Sequence, residues 1–201
     1  MLNFEIEHLG EYDYIAGCDE VGRGCIAGPL VVACVMLPKN YLNKDIKDSK
    51  QIAPNKRIQL SNLIKDIAIE YKIKFYDVFD INNSNPKAIS KLGMKQCIES
   101  FEKTPQITIT DYEKIDLDIK QINLVKGDNK ALCVAAASIL AKVARDKYMM
   151  NLHKIHPEYH FDKNKGYPTK EHLQALKLFG ILKDYHRIKY KPVLNLIQKK
   201  N

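Results

Sequence analysis

Residues 14–37 read YIAGCDEVGRGCIAGPLVVACVML, and this stretch decides the fold. Its two ends, 14–19 and 28–37, are short apolar runs rich in Val and Ile, and both are bounded by glycines. Apolar runs of this length between glycines are typical of β-strands. The two strands are therefore predicted to pair as a hairpin.

The rest of the chain is predicted to alternate between helices and strands. Helical spacing predicts helices over 54–71, 86–101, 132–150 and 169–180. Further strands are predicted over 72–80, 106–111 and 119–125. This order predicts an α/β fold with a mixed sheet flanked by helices. We expect residues 1–150 to form the core and residues 151–201 to form a helical C-terminal extension packed on it, as a single structural unit.

The composition is that of a globular domain with an excess of positive charge. The 201 residues are 45% hydrophobic and 28% charged, which is close to the average for globular proteins. Lys and Arg number 32 against 24 acidic residues, so the net charge is +8. This excess favours a polyanionic partner such as nucleic acid, although solubility alone accounts for it equally well.

Cysteine usage and hydropathy favour a cytoplasmic protein. The cysteines are odd in number and form no C-x-x-C pair, so they are predicted to be reduced and buried. They are Cys18, Cys25, Cys34, Cys97 and Cys133. The N-terminal residues lack the positive start and apolar core of a signal peptide, and no run approaches the roughly 20 apolar residues of a membrane helix. We expect a cytoplasmic monomer with no membrane partner.

Acidic residues stand where predicted strands or loops end. Asp19 and Glu20 follow YIAGC, Asp111 ends QITITD, and Asp128 follows VKG. Such positions cluster at one edge of a sheet, where carboxylates repel one another unless cations neutralise them. Oxygen ligands suit Mg²⁺ or Mn²⁺ rather than zinc. A single acid at such a place is more often a helix cap or a solvated turn, but the whole set favours a metal site for phosphodiester chemistry.

The string DEVGRG joins two of these acids to a basic turn. Neighbouring strand residues point to opposite faces, so Asp19 and Glu20 can share a site only if the strand bends or ends there. Gly22 and Gly24 permit that bend and would let a nucleic-acid backbone approach closely. Arg23 can hold a phosphate through a bidentate contact. The alternative is a hairpin turn with an exposed arginine.

The helix predicted over 132–150 has a polar stripe. Ser138, Lys142, Arg145 and Asp146 recur at three- and four-residue spacing and therefore share one face. We interpret this face as phosphate-binding because the helix directly follows the last of the acids. The alternative is that Lys142 and Asp146 form an ordinary helix salt bridge.

Together these motifs resemble ribonuclease HII, of the type 2 ribonuclease H family. The resemblance rests on DEVGRGCIAGPLVVACV, KDSKQIAPNKR, KGD followed by AAASILAKVARD, and HPEY…NKGYPTKEH…FG…HR, and it covers about residues 14–193. It implies a ribonuclease H-like core with a helical extension. It also implies an endoribonuclease that hydrolyses the RNA strand of RNA/DNA hybrids. The same resemblance implies cleavage on the 5′ side of ribonucleotides in duplex DNA, which leaves 3′-hydroxyl and 5′-phosphate ends.

The resemblance also implies a catalytic set. Asp19, Glu20, Asp111 and Asp128 correspond by position to the family's catalytic carboxylates, which are also its metal ligands. We expect them to hold two Mg²⁺ or Mn²⁺ ions, with Asp19 shared between the ions. One ion would activate water and the other would steady the leaving oxygen.

Substrate-binding residues are implied in the same way. Gly22, Arg23 and Gly24 correspond to the G-R-G that reads the ribose 2′-hydroxyl, which is recognised here and need not act as the nucleophile. Tyr167 corresponds to the tyrosine that senses the RNA-to-DNA junction. Lys50, Lys142 and Arg145 match positions expected to face the nucleic acid, and Ser138 joins them from the shared helix face.

Some positions depart from the family pattern. Cys25 stands where proline usually follows G-R-G, Pro168 stands where glycine usually follows the tyrosine, and HRIKY at 186–190 replaces a pattern ending in Ser-Phe. Pro168 fixes its own φ and pushes Tyr167 towards an extended conformation. None of these changes removes a proposed metal ligand.

Two other functions are compatible with parts of this pattern. A DNA-directed nuclease on the same core, such as a resolvase, would have little use for G-R-G and Tyr167, and cleavage of an all-DNA duplex would indicate it. A catalytically silent RNA-binding module would not need intact carboxylates at all the matching positions, and metal-dependent turnover would exclude it.

Overall fold

Five strands form one mixed sheet in the computed structural model, which describes residues 2–198. The strands are β1 (Ile15–Val21), β2 (Leu30–Met36), β3 (Glu70–Tyr76), β4 (Ile107–Asp111) and β5 (Lys120–Leu124). Their order across the sheet is β3-β2-β1-β4-β5. β1 pairs antiparallel with β2 and parallel with β4, and β4 pairs parallel with β5. The predicted hairpin and mixed α/β sheet are confirmed.

Eight α-helices lie within the described residues. They are α1 (Phe4–His8), α2 (Pro54–Ile67), α3 (Val78–Asn83), α4 (Pro86–Glu99), α5 (Leu132–Ile155), α6 (Phe161–Asn164), α7 (Lys170–Phe179) and α8 (Lys191–Gln198). All four predicted helices are present, although α2 ends earlier and α5 continues five residues further than predicted. The C-terminal helices agree with the predicted extension, whose last residues, 199–201, lie outside the described part of the chain.

The strand predicted over 72–80 is wrong in its second half. β3 ends at Tyr76, and Asp77 then caps α3. The Asp77 side chain accepts a hydrogen bond from the Asp80 amide at 3.0 Å, and the Asp77 amide donates to Asp80 at 3.2 Å. This reciprocal capping satisfies amides at the start of the helix and favours a helical turn over a continued strand.

Helix α5 packs its backbone directly against β1. A Cβ atom added to Gly17 would lie 2.3 Å from the Cys133 carbonyl carbon and 2.4 Å from the Val134 nitrogen. Residues 131–141 are all buried, and the alanines among them, including the run at 135–137, let the helix approach this closely. The short helix α1, which was not predicted, contributes Glu5, whose Oε1 accepts a hydrogen bond from the Cys133 amide at 2.8 Å. A carboxylate at this end of a helix satisfies an otherwise unbonded N–H.

The described residues divide into two compact units. The first lies within Met1–Val21, Val31–Lys74 and Ser90–Val143, and the second lies within Gly22–Leu30, Phe75–Ile89 and Ala144–Asn201. The first unit contains most of the sheet. The second has its own apolar cluster, built around Tyr159 and Phe161 with residues of α7 and α8. The predicted boundary between core and extension at residue 150 stays a prediction.

Two of the five cysteines are bonded to each other. Cys18 and Cys34 are direct partners in the β1–β2 register, with Cα atoms 4.2 Å apart, and they form a disulfide. The prediction that all the thiols are reduced is therefore wrong for this pair, because the strand pairing places them face to face. Cys25, Cys97 and Cys133 are free and buried, as predicted.

Across residues 2–198, every helix is too short or too polar to cross a bilayer.

Replacing Gly17 with alanine should destabilise the fold because the added methyl group collides with helix backbone. We expect Gly17→Ala to lower the free energy of unfolding by about 2–3 kcal/mol, the usual cost of an overpacked core. Gly10→Ala is the matched control, since its added Cβ would meet only the Ile6 carbonyl at 3.6 Å. Urea denaturation of both variants measures the difference, and equal stabilities would contradict the close contact.

Candidate active site

The strand register places two of the predicted acids side by side. β1 and β4 are parallel, with Cys18 opposite Thr110, so the next residues along the two strands are Asp19 and Asp111. The chain then returns after β5, where the Gly127 amide donates a hydrogen bond to Asp111 Oδ1 at 2.8 Å. This contact brings the turn that carries Asp128 to the ends of the same strands.

Asp19 is the most enclosed of these carboxylates. Its residue surface is only 6% exposed, and its Oδ1 accepts a hydrogen bond from the Glu20 amide at 2.7 Å. The Ser138 hydroxyl also donates to it. Burial raises the pKa of Asp19 well above its ordinary value, and the negative charges of Glu20 and Asp111 raise it further. Asp19 is therefore a carboxylate whose ionisation is opposed by its surroundings.

Glu20 follows Asp19 without interrupting the strand. β1 continues through both residues and ends at Val21, so the strand does not end at the two acids. The turn is then made by Gly22, whose φ of +100° belongs to the left-handed region that favours glycine. The charge of Glu20 nevertheless acts on Asp19, so the two acids influence one another electrostatically.

Asp128 is buried beside a mixed set of charges. Burial raises its pKa, and so do the negative charges of Asp48 and Asp111. The Lys50 ammonium, 4.0 Å from Asp128 Oδ2, and the Asn129 amide, 3.0 Å from Oδ1, act in the opposite direction. Lys50 is 79% exposed at its side chain, so it lies beside the acids and also faces solvent.

Asp48 and Ser49 were missed as site residues by sequence reasoning, although both belong to the DSK motif that contains Lys50. The Ser49 and Ser138 hydroxyl oxygens are 2.9 Å apart. Because Ser138 donates to the carboxylate of Asp19, Ser49 must donate to Ser138. Ser138 is therefore buried against this group, and it is not exposed on a helix face as expected.

The loop that carries these residues is fastened by an arginine. Arg57 is buried, and its Nε donates to the Ser49 carbonyl at 2.8 Å while its Nη2 donates to the Ile52 carbonyl at 2.7 Å. These bonds hold the backbone that presents Asp48 and Lys50. Arg57 thus stabilises the backbone of the site and does not itself belong to the group of acids.

The carboxylates do not form a finished coordination shell. Among residues 2–198, no three His, Cys, Asp or Glu side chains lie close enough together to hold a metal ion without adjustment. The donor set still fits a hard divalent cation, because it consists of carboxylate oxygens and because Asp19 is buried beside two other negative charges. A cation would relieve that repulsion.

In the second unit, the G-R-G loop is held by its carbonyl groups. Arg187 is buried, and its Nη1 donates to the carbonyls of Gly22 at 2.7 Å and Arg23 at 3.2 Å. Its Nη2 donates to the Gly28 carbonyl at 2.9 Å. A Cβ atom on Gly22 would lie 2.3 Å from the Nε of Arg145, whereas one on Gly24 would meet nothing within 4 Å. Gly22 is therefore required by packing, and Gly24 lies on the open side of the loop.

Arg145 was expected on a phosphate-facing surface, but the structure places it in the interior. It is fully buried, and it donates to the carbonyls of Pro29 at 2.8 Å, Ala27 at 3.0 Å and Lys165 at 2.7 Å. Its guanidinium has no exposed surface to offer a phosphate, so the structure gives it a supporting position. Lys142 is partly exposed, and its predicted phosphate contact stays a prediction.

Tyr167 lies on a loop bonded to the G-R-G loop. The carbonyl of the preceding residue, Gly166, accepts hydrogen bonds from the amides of Ile26 at 2.9 Å and Ala27 at 3.2 Å. Tyr167 is 39% exposed as a residue, and the centroid of its ring lies 5.9 Å from the guanidinium carbon of Arg145. Burial, followed by the neighbouring Cys25, raises the pKa of its hydroxyl to about 12. The second unit therefore joins the two predicted substrate loops.

Two strained residues flank the acids and were also missed. Tyr112 directly follows Asp111 with a φ of +66°, and Lys126 lies two residues before Asp128 with a φ of +55°. Residues with side chains rarely adopt this left-handed conformation, which costs roughly 1–2 kcal/mol. Such strain is common at functional sites. Tyr112 is also 62% exposed, so packing in the core does not explain why a large aromatic side chain stands at this position.

Asp19→Asn should stabilise the metal-free protein. The pKa of this carboxyl group is higher in the folded protein than in the unfolded chain, where it is about 3.9. Its ionisation therefore destabilises the fold increasingly as the pH rises from the unfolded pKa to the folded pKa, and the full penalty is present at any pH above the folded pKa. We expect the variant to gain on the order of 1 kcal/mol in EDTA at pH 7. Added Mg²⁺ should raise the melting temperature of the wild type more than that of the variant. Equal shifts in melting temperature would contradict a metal site at Asp19.

The strain at Tyr112 can be isolated by comparing two substitutions. Tyr112→Ala and Tyr112→Gly both remove the ring, but only glycine adopts a positive φ without steric cost. We expect Tyr112→Gly to be more stable than Tyr112→Ala by about 1 kcal/mol in urea denaturation. If alanine proves equally stable, the backbone at this position is not strained.

Comparison with known proteins identifies the family. The ribonuclease HII family model matches residues 16–193. A ribonuclease HII from Caldanaerobacter subterraneus subsp. tengcongensis is 46% identical over 169 residues, which cover 84% of this chain and 70% of that protein.

Two solved structures share the fold. Ribonuclease H2 from Pyrococcus horikoshii OT3 has a TM-score of 0.81 at 24% identity, over 92% of this chain and 98% of that chain. Bst-RNase HIII in complex with Mn²⁺ has a TM-score of 0.75 at 18% identity, over 96% of this chain and 71% of that chain. This chain belongs to the ribonuclease HII family of hydrolytic nucleases.

Proposed function

We propose that this chain is an endonuclease that hydrolyses the RNA strand of RNA/DNA hybrids. It would also cut on the 5′ side of ribonucleotides embedded in duplex DNA, and so serve ribonucleotide excision repair. The observation that carries the proposal is the gathering of Asp19, Asp111 and Asp128 at adjoining strand ends, with Asp19 buried beside other negative charges. Membership of the ribonuclease HII family supports the interpretation of these carboxylates as the catalytic group of a nuclease.

The carboxylates are the groups that would hold divalent cations. Asp19, Glu20, Asp111 and Asp128 offer oxygen ligands, which suit Mg²⁺ or Mn²⁺, and the related Bst-RNase HIII was solved with Mn²⁺. When bound, two such ions supply an activated water and stabilise the charge that develops on the leaving oxygen. The attacking water would leave a 5′-phosphate on one fragment and a 3′-hydroxyl on the other.

The chain's own residues would then position the substrate. Ser138 holds Asp19 in place through its hydroxyl, so that the carboxylate keeps one orientation. Lys50, exposed beside Asp128, provides a positive charge that can contact a backbone phosphate. In the G-R-G loop, the open side at Gly24 lets a ribose approach the backbone, and Arg23 supplies a cation for a phosphate. The 2′-hydroxyl is the group by which such a loop can distinguish RNA from DNA.

The proposed partners are RNA/DNA hybrids and duplex DNA that contains ribonucleotides. The net charge of +8 favours them, and Lys142 remains a candidate for contact with the backbone. The monomeric state and the cytoplasmic location stay predictions.

Cleavage of a DNA duplex that carries one ribonucleotide tests the proposed function directly. We expect a single cut on the 5′ side of the ribonucleotide in Mg²⁺ or Mn²⁺, and no product in EDTA. Asp19→Asn should reduce the rate by about a thousandfold or more, because catalysis of this kind depends on the metal-bound state. Cleavage of an all-DNA duplex at a similar rate would instead indicate a DNA-directed nuclease, and binding without turnover would indicate an RNA-binding module.

Tyr167 is expected to report the RNA-to-DNA junction by packing its ring against the deoxyribose that follows the ribonucleotide. Tyr167→Ala should lower cleavage at a single ribonucleotide by at least about tenfold more than cleavage of a continuous hybrid, since the ring positions the phosphate for attack. Tyr167→Phe keeps the ring and should retain most of the activity. Rates on the two substrates, with thermal melting as the control for folding, measure the effect. An unchanged ratio of the two rates would contradict the junction role.

A further inference from the structure

We propose that His172 is a positioning residue for Tyr167, and that His186 fixes the tautomer in which His172 acts. The inference rests on the proposed function in that it takes Tyr167 to be a substrate-contacting residue. Neither histidine is assigned to the chemistry of the carboxylates. Both belong to the second unit, and both are fully buried.

The hydrogen bonds around the two rings fix where the protons lie. His172 Nδ1 lies 2.8 Å from the Tyr167 carbonyl oxygen, which can only accept, so Nδ1 carries the proton. In a neutral ring, Nε2 is then an acceptor, and His186 Nε2 lies 3.1 Å away and must donate to it. His186 Nδ1 is consequently the bare nitrogen, and the Leu182 amide donates to it at 3.1 Å. In this arrangement each of the four ring nitrogens has a partner, and the Leu182 carbonyl oxygen, which also lies 3.2 Å from His186 Nδ1, receives no proton from that nitrogen.

The pair is held neutral and rigid by its surroundings. Burial lowers the pKa of both imidazoles, and for His186 to about 4, so neither carries a charge near neutral pH. The His186 ring lies 5.3 Å from the Tyr159 ring, and the His172 ring lies 5.4 Å from the Phe161 ring. Packing between aromatic rings leaves the imidazoles little freedom to rotate away from their hydrogen bonds.

Packing alone does not account for histidine at these positions. A pair of apolar side chains would fill the same space without the cost of burying polar nitrogens. The cost is offset because each nitrogen in this chain of bonds has a partner, and the chain ends on the backbone of Tyr167. Fully satisfied buried networks of this kind specify one conformation. The conformation specified here is that of the loop that presents the tyrosine.

The next residue in the sequence extends the same support to the G-R-G loop. Arg187 donates to the carbonyls of Gly22 and Arg23 through its side chain, and its amide donates to the Ile26 carbonyl at 2.8 Å. His186 therefore belongs to a short segment that holds both loops proposed to contact the substrate. The side chains of His186 and Arg187 are both fully buried, so their contribution to these loops is structural support and not direct contact with a substrate.

Substitution of His172 tests the proposal, with a conservative variant as the rescue. His172→Phe keeps a ring of similar size but has no donor, whereas His172→Asn can place its amide nitrogen near the position of Nδ1. We expect His172→Phe to lower the ratio of single-ribonucleotide to hybrid cleavage by about tenfold, and His172→Asn to stay within about threefold of the wild type. Leu176→Ala is the matched control, since it removes buried volume from the same cluster without a bond to Tyr167. If Leu176→Ala changes the ratio as much as His172→Phe, the histidine acts only through packing and the proposal is overturned.

A second measurement separates this proposal from the proposed function. The chain contains no tryptophan, so Tyr167→Trp introduces a single fluorescent reporter at the loop. Adding His172→Phe to that variant should shift the emission to longer wavelength and lower the anisotropy, while adding Leu176→Ala should change neither. Unchanged emission with His172→Phe would overturn the positioning role even if the enzyme proves to be a ribonuclease. A clear spectral change would support it even if Tyr167 has no junction role.

Discussion

The contact between α5 and β1 at Gly17 is the constraint on which the carboxylate group depends. It leaves no room for a side chain, and it places the first turns of α5 over the strand that carries Asp19 two residues later. Ser138 reaches Asp19 because the helix is that close. The same proximity removes water from the carboxylate, and loss of water is the main reason that its pKa is raised. A packing feature of the core thus determines the electrostatics of the candidate site.

The two units hold their candidate functional residues in different ways. In the first unit, the parallel register of β1 and β4 aligns the acids, and regular backbone pairing does most of the positioning. In the second unit, the loops are not paired as strands. Buried side chains hold these loops by donating hydrogen bonds to the carbonyl oxygens of the loop backbone. Arg145 and Arg187 bond only to carbonyls and to a tyrosine hydroxyl, and within the described residues neither has a carboxylate at ion-pair distance. Burying such charges is costly unless every donor is satisfied, which explains the density of these bonds.

Local patterns were sufficient to predict the strands, the longer helices and the acids at the strand ends. Apolar runs and helical spacing arise from contacts between near neighbours, so they are visible in sequence. The burial of Ser138 and Arg145 was not visible, because helical spacing shows which residues share a face but not what that face meets. The Cys18–Cys34 bond was missed for a similar reason, since it depends on a register between strands. The positive φ at Tyr112 and Lys126 has no local signature, because neither residue type favours it.

The burial of arginine changes how the positive charge of this chain should be understood. Its four arginines are Arg23, Arg57, Arg145 and Arg187, and the last three are buried and bonded to backbone carbonyls. The planar guanidinium offers several donors in a fixed geometry, which suits it to fastening loops as well as to binding phosphates. Lysine cannot replace it in that role, because an ammonium group is a compact, strongly hydrated point charge. The surface charge available to a polyanion therefore comes mainly from lysines such as Lys50, and among the arginines only Arg23 has exposed surface to contribute to it.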